Sequence, residues 1–338
     1  MKAVVLSGPG EARLADIDEP SDDGRAVVRV HEVGICGTDL KILSGSVPVR
    51  YPRVLGHEIV GEVIQPGHRS LFATGTRVLI DPSVACGHCE RCRDDQAHLC
   101  RLGGLLGRDL DGGFAESVAV DELQLHALPD DVPWRHGPLL QILGTCVHGQ
   151  SRIQTGPGDT AVVVGLGVSG LLQVQLLRAR GVRTVIGVTR SGEKLQLAKQ
   201  LGATAVAQPD EAAEVVSDLT QGEGVGLVVE ASGVLAGMRT AVGLARPGAT
   251  LLLFGTLSES AGEFPYYLLY LKELALISSR GARPRDYAGA IDLVRDGAIQ
   301  LDPLLSERFL LDDANQAFAR FRDGSGVLKV TMRVGAEA

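Results

Sequence analysis

Gly165-Leu-Gly167-Val-Ser-Gly170 constrains the fold of this chain more than any other six residues. It follows the apolar, strand-like Ala161-Val-Val-Val164 and opens a helical pattern running from Leu171 to Arg180. At such a junction Gly165 permits the tight turn, Gly167 lets the backbone approach a pyrophosphate, and Gly170 allows close strand-helix packing. The phosphate then rests on the helix N-terminus, where unpaired N–H groups and the dipole favour negative charge. A tight turn without a ligand uses similar glycines, but here the whole strand-helix-strand unit is present, with Thr184 to Val188 as the next strand. The alternation continues through Glu193 to Gln200, Gly226-Leu-Val-Val229 and Ala249 to Phe254. It predicts a parallel α/β sheet with helices between its strands. Val168, opening the helix, and Gly255, following the late strand, join the expected dinucleotide contacts.

The residue ending the second strand selects the cofactor, because Asp or Glu there accepts from the ribose 2′-hydroxyl and repels a 2′-phosphate. This strand ends at Val188-Thr189-Arg190-Ser191, without a carboxylate. Thr189 donates a hydrogen bond, and Arg190 with Lys194 flanks a 2′-phosphate with positive charge. The expectation is NADP, with NAD the alternative, since Arg190 stacks on adenine in either cofactor.

The first 130 residues read differently. Short β-rich runs, Ala26-Val-Val-Arg-Val30, Ile59 to Ile64 and Arg77-Val-Leu-Ile80, are separated by Gly, Pro and Asp turns, which predicts an all-β barrel or sandwich. Near residue 144 the pattern changes to the α/β alternation. The last sixty residues carry helical patterns at Tyr287 to Asp296 and Asp312 to Phe321 and a closing strand at Val327 to Met332. With 338 residues and 45% hydrophobic content, the chain is long enough for two cores. A net charge of −8 with scattered Lys and Arg disfavours nucleic acid as a partner, and no apolar run approaches the length that spans a bilayer. Met1 opens directly into the strand-like Lys2-Ala-Val-Val-Leu6, which leads to the expectation of a cytoplasmic protein.

Cys86, Cys89, Cys92 and Cys100 form a C-x2-C-x2-C-x7-C loop. Such spacing lets four thiolates converge on one tetrahedral ion, so the loop is expected to be a closed structural zinc site. Disulfides are the alternative, and they belong to oxidising compartments.

Gly34-Ile-Cys36-Gly-Thr38-Asp39 and Gly56-His57-Glu58 bring a thiol, an imidazole and carboxylates into the β-rich part of the chain. Taken with the cysteine loop, the glycine run, Tyr51-Pro52, Pro157-Gly-Asp159 and Arg246-Pro-Gly248, they resemble the zinc-dependent medium-chain dehydrogenases over essentially the whole length. The resemblance implies a GroES-like β-barrel catalytic domain (1–143), a doubly wound Rossmann domain (144–278) and a closing segment (279–338) that completes the first. It also implies a catalytic zinc on Cys36 and His57, hence two zinc ions per chain. Asp39 is then placed to fix the His57 tautomer, Thr38 to relay the substrate proton, and Glu58 to bind the metal or to support its surroundings.

The third ligand departs from the usual pattern. Family members generally carry Cys or Glu there, and alignment through Thr145 puts Gln141 in its place, with Cys146 as the rival. A similar arrangement in some sugar dehydrogenases points to a secondary alcohol of a sugar, polyol or cyclitol as substrate. A simple alcohol or aldehyde is the alternative, and a non-catalytic zinc-binding interaction protein is a more distant one. The resemblance further implies a homodimer or homotetramer. Tyr266, Tyr267 and Tyr270, beside leucines, are expected to be packing residues rather than a sugar pocket or a subunit contact.

Overall fold

The computed structural model describes residues 1–21, 23–156, 158–256 and 264–335; Pro157 lies outside them. The chain divides into two compact units, Met1–Gly144 with Gly281–Arg295 and Leu304–Ala338, and Thr145–Arg280 with Asp296–Pro303.

The first unit is predominantly antiparallel. Among the described residues a seven-stranded sheet runs in the order Leu125–Ala127, Arg77–Ile80, Glu58–Gln65, Ala26–Gly34, Lys329–Arg333, Leu305–Leu310, with Ser117–Val120 also paired to Ala26–Gly34. Lys2–Leu6 joins Ala12–Asp16 and Arg53–Val54 in a smaller sheet. Their inward residues, including Leu6, Val28, Ile59 and Val330, form one core with Phe114, from the segment before Ser117, and Phe318 of the Ala314–Asp323 helix. Phe114 and Phe318 meet edge to face with ring centres 5.5 Å apart, a favoured aromatic geometry. Short β-branched, apolar runs bounded by turn residues make several of these strands readable in sequence, whereas the pairing of Lys329–Arg333 with Ala26–Gly34 is long-range.

The second unit holds a six-stranded parallel sheet in the order Ala205–Ala207, Thr184–Val188, Thr160–Val164, Val225–Glu230, Ala245–Leu253, Ala275–Ser278. Counted along this unit the order is 3-2-1-4-5-6, the doubly wound topology. It reverses direction between Thr160–Val164 and Val225–Glu230, and ligands of such sheets bind at the carboxyl ends of strands at that reversal. Val162, Ile186, Val228 and Leu251 are buried with Met238 and Val242 of the Leu235–Leu244 helix.

Gly37–Leu43 and Gly137–Ser151 are among the helices that periodicity did not anticipate. The first is short, and the second is buried nearly all round, with polar Gln141, His148 and Gln150 inside. The tyrosines contradict the packing expectation: Tyr266, Tyr267 and Tyr270 are 74%, 70% and 80% exposed. Their helix is one and a half turns long and anchors itself through Leu269, which leaves the tyrosines on the outer side. No helix among the described residues is long and apolar enough to cross a membrane.

Candidate metal centres and dinucleotide site

Cys36 is the N-cap of the Gly37–Leu43 helix, and Asp39 closes a capping box with it. One carboxylate oxygen of the fully buried Asp39 accepts the Cys36 backbone N–H at 2.8 Å. The other lies 3.4 Å from Nδ1 of His57 and accepts the Gly56 N–H at 3.3 Å. A single side chain therefore ties both motifs together. Gly56 has a φ of +93°, and a Cβ there would sit 2.8 Å from the Phe114 ring, so glycine is needed for the turn that presents His57. Burial opposes charge on His57, but Asp39 and Cys36 outweigh it and hold the imidazole well above its usual range. This electron-rich surrounding suits a cation.

Glu58 begins the next strand, opposite Gly34 in the register. Donor atoms of Cys36, His57 and Glu58 lie within 4.8 Å of one another. A thiol, an imidazole and a carboxylate so placed form a donor set that fits a catalytic-type zinc. Glu58 is also ion-paired with the buried Lys329, whose ammonium donates to the Ile35 carbonyl at 2.9 Å. Gly34 makes room for this pair, since a Cβ there would collide with Glu58 and lie 2.8 Å from both Lys329 and Pro138. Lys329 had no signal in the sequence. Thr38 lies beside the thiol, its Oγ1 3.8 Å from Sγ of Cys36.

Gln141 is buried on the Gly137–Ser151 helix, one turn beyond Pro138. The rival Cys146 belongs to the second unit, where its thiol lies 3.9 Å from the Ser169 carbonyl, and burial pushes its pKa far up.

The four loop cysteines are free thiols gathered within 4.8 Å. Sγ separations are 3.5 Å for Cys89–Cys92, 3.8 Å for Cys89–Cys100 and 3.9 Å for Cys86–Cys92. A disulfide needs about 2.05 Å. A tetrahedron of sulfurs about 2.3 Å from a zinc ion has edges of about 3.8 Å. The backbone N–H of Cys92 helps hold the Cys89 thiol down at about 6, while burial and the neighbouring sulfurs push Cys92 up to about 12, so the crowded thiols share protons until a cation displaces them.

In the second unit Gly165 has a φ of +93° and its Cβ position lies 2.6 Å from the Ser232 nitrogen. Gly167 is the N-cap of the Val168–Ala179 helix, with open space where a Cβ would be, and a Cβ on Gly170 would strike the Gly165 carbonyl. Thr189 and Arg190 follow the Thr184–Val188 strand, and Ser191 caps the next helix by accepting the Lys194 N–H at 3.4 Å. Sequence reasoning missed Glu230, the buried end of the strand beside Thr160–Val164. Its carboxylate accepts from the Ser232 hydroxyl, from the Ser232 N–H at 2.8 Å and from the Gly233 N–H at 3.1 Å, shaping that loop. Gly255 is required next to it, because a Cβ would lie 2.6 Å from the same carboxylate.

Residues 22–130 match the alcohol dehydrogenase GroES-like domain and residues 167–296 the zinc-binding dehydrogenase family. The D-arabitol-phosphate dehydrogenase of Enterococcus avium is 29% identical over 97% of this chain and 96% of its own. The probable D-xylulose reductase A of Arthroderma otae is 32% identical over 96% and 94%. A Sinorhizobium meliloti 1021 protein, described as a zinc-binding dehydrogenase and solved with NADP, superposes with a TM-score of 0.87 at 35% identity, covering 98% of each chain.

Proposed function

The chain belongs to the zinc-binding, medium-chain dehydrogenase family, and on that premise we propose that it transfers a hydride between NADP and a secondary alcohol of a polyol, sugar or cyclitol. The observation that carries this reading is the convergence of Cys36, His57 and Glu58 within 4.8 Å, braced by Asp39. The polyol-acting relatives support the substrate class, and the missing carboxylate after Val188 supports NADP, with NAD as the weaker alternative.

Cys36, His57 and Gln141 would hold the catalytic zinc in this reading, with Glu58, ion-paired to Lys329, as a further ligand or a support to the others. Bound there, zinc supplies Lewis acidity at the substrate oxygen, while the nicotinamide accepts or returns the hydride. Asp39 holds the Nδ1–H tautomer of His57, leaving Nε2 as the donor atom. The Thr38 hydroxyl takes the substrate proton and passes it outward, acting as donor and acceptor in turn. Gly165, Gly167, Val168, Gly170 and Gly255 would hold the dinucleotide, the glycine turn taking the pyrophosphate, and Thr189, Arg190 and Lys194 would bind the 2′-phosphate. Cys86, Cys89, Cys92 and Cys100 hold a second, structural zinc. Reduced cysteines support a cytoplasmic location, and the exposed tyrosines near the sheet-edge strand Ala275–Ser278 support a homodimer or homotetramer.

The test is a dehydrogenase screen of polyols, aldoses, aminocyclitols and simple alcohols with NAD and NADP in parallel, alongside metal analysis. NADP-linked oxidation of a polyhydroxylated compound with about two zinc per chain is the expected result. Turnover confined to simple alcohols would overturn the substrate class, and a zinc-free active enzyme would overturn the metal assignment.

A further inference from the structure

A neutral amide is a weak metal ligand with an added difficulty: its two ends have nearly the same shape, but only the oxygen can bind a cation. Something must therefore choose its orientation. On the Gly137–Ser151 helix, Pro138, Gln141 and Gly144 follow one another at three-residue spacing along one face. Pro138 crowds Gly34 together with Glu58 and Lys329. At the other end, a Cβ on Gly144 would collide with the Tyr287 ring, so glycine is what lets that ring lie against the helix. Gln141 stands between them, 7% exposed, with its side chain hydrogen-bonded to Tyr287.

Tyr287 comes from the Pro284–Arg295 helix and is fully buried. Its hydroxyl donates to Oδ1 of Asp81 at 3.3 Å, and that oxygen also accepts the Ser83 N–H at 2.8 Å. A tyrosine hydroxyl has one proton. Having given it to Asp81, it meets Gln141 only as an acceptor, and the amide group it receives is the NH2. The Gln141 oxygen is then turned away from Tyr287.

We propose that Tyr287, itself oriented by Asp81, is a positioning residue that sets the Gln141 amide with its oxygen free for the metal that Cys36 and His57 would hold. This rests on the reading of Gln141 as a ligand. The chain Asp81, Tyr287, Gln141 passes one hydrogen-bond polarity inward, and a phenylalanine at 287 would leave the amide with no preferred orientation.

The experiment follows zinc release to a chelator in the full-length protein, with the four-cysteine zinc as the internal measure of an intact first unit. Tyr287→Phe keeps the ring and should speed release of one zinc by about tenfold, the low end for loss of a group that orients a ligand. In a Gln141→Glu background the same change should not speed release, because the two carboxylate oxygens need no orienting and the Tyr287 oxygen, only an acceptor toward residue 141, gives them no hydrogen bond to lose. Parent-like release from Tyr287→Phe, or equal acceleration in both backgrounds, would overturn the positioning role while leaving Gln141 as a ligand. Parent-like retention in Gln141→Leu would instead remove the ligand reading, and this inference with it.

Discussion

Lys329 and Glu58, from opposite ends of the chain, form an ion pair whose side chains are 3% and 1% exposed. The last strand delivers the lysine and the strand after the Gly56 turn delivers the glutamate, with the bare backbone of Gly34 between them. Two charges withdrawn from water together are tolerated only while both are present. This pair keeps an anionic carboxylate next to Cys36 and His57 without leaving its charge uncompensated.

Lys329→Met should accordingly cost about 3–5 kcal/mol of stability, as removal of one partner of a buried pair typically does. The double variant Glu58→Gln with Lys329→Met should recover part of that loss. Urea unfolding of the parent, the single and the double variants measures both. A single variant within about 1 kcal/mol of the parent would mean that the pair behaves as an exposed one.

The two thiol sites should fail in different ways. Cys36→Ser is expected to bring turnover to background while dinucleotide binding persists, because the cysteine caps a short helix and the glycine turn belongs to the other unit. Cys92→Ser should lower the melting temperature, since it opens a four-thiol site whose metal affinity is part of the folding free energy. Parallel assays of turnover, fluorescence titration with NADPH and thermal melting separate the two. Near-normal turnover by Cys36→Ser would refute its assignment.

Thr189→Asp puts a carboxylate where a 2′-phosphate is expected and where a 2′-hydroxyl would welcome it. Binding should weaken for NADP and strengthen for NAD, by about tenfold or more in the ratio, equivalent to about 1.4 kcal/mol. Titration of both cofactors against both proteins gives the answer. A parent that binds NAD tightly and ignores NADP would reverse the cofactor preference.

Burial raises the Asp81 carboxyl from 3.8 to about 6, more than its bonds from Ser83 and Tyr287 lower it. Below pH 4 both native and unfolded chains hold its proton. As pH rises through that window the unfolded chain releases the proton first, so this residue's contribution to stability declines until about pH 6 and then levels off. The total is about 3 kcal/mol for a shift of about two units. Asp81→Asn cannot titrate, so its stability relative to the parent should rise across the same window. A difference between the two proteins that stays flat from pH 4 to pH 7 would show that Asp81 ionises normally.

Reading the chain in order goes furthest where the chemistry is local. Four cysteines inside fifteen residues, a glycine run between a strand and a helix, and a Cys-Gly-Thr-Asp turn carry their geometry in short spacings, because few backbone conformations satisfy so many close constraints. The parallel alternation after residue 160 was likewise legible, since each strand and helix has its own period. The Gly137–Ser151 helix escaped notice because it is buried nearly all round, and its polar residues, Gln141, His148 and Gln150, are buried too and do not mark a solvent face.

The rest was decided only by tertiary structure. That Lys329 would meet Glu58 depends on which strands pair and in what register, and that Tyr287 would reach Asp81 across 206 residues depends on how its helix packs. A one-residue slip of the strand carrying Lys329 would turn that side chain to the opposite face of the sheet. The sequence by itself determined the kinds of donors and the cofactor turn. The folded chain determined that Lys329 neutralises Glu58 and that the Tyr287 hydroxyl meets Asp81, because those partners come together only through long-range contacts that no local spacing encodes.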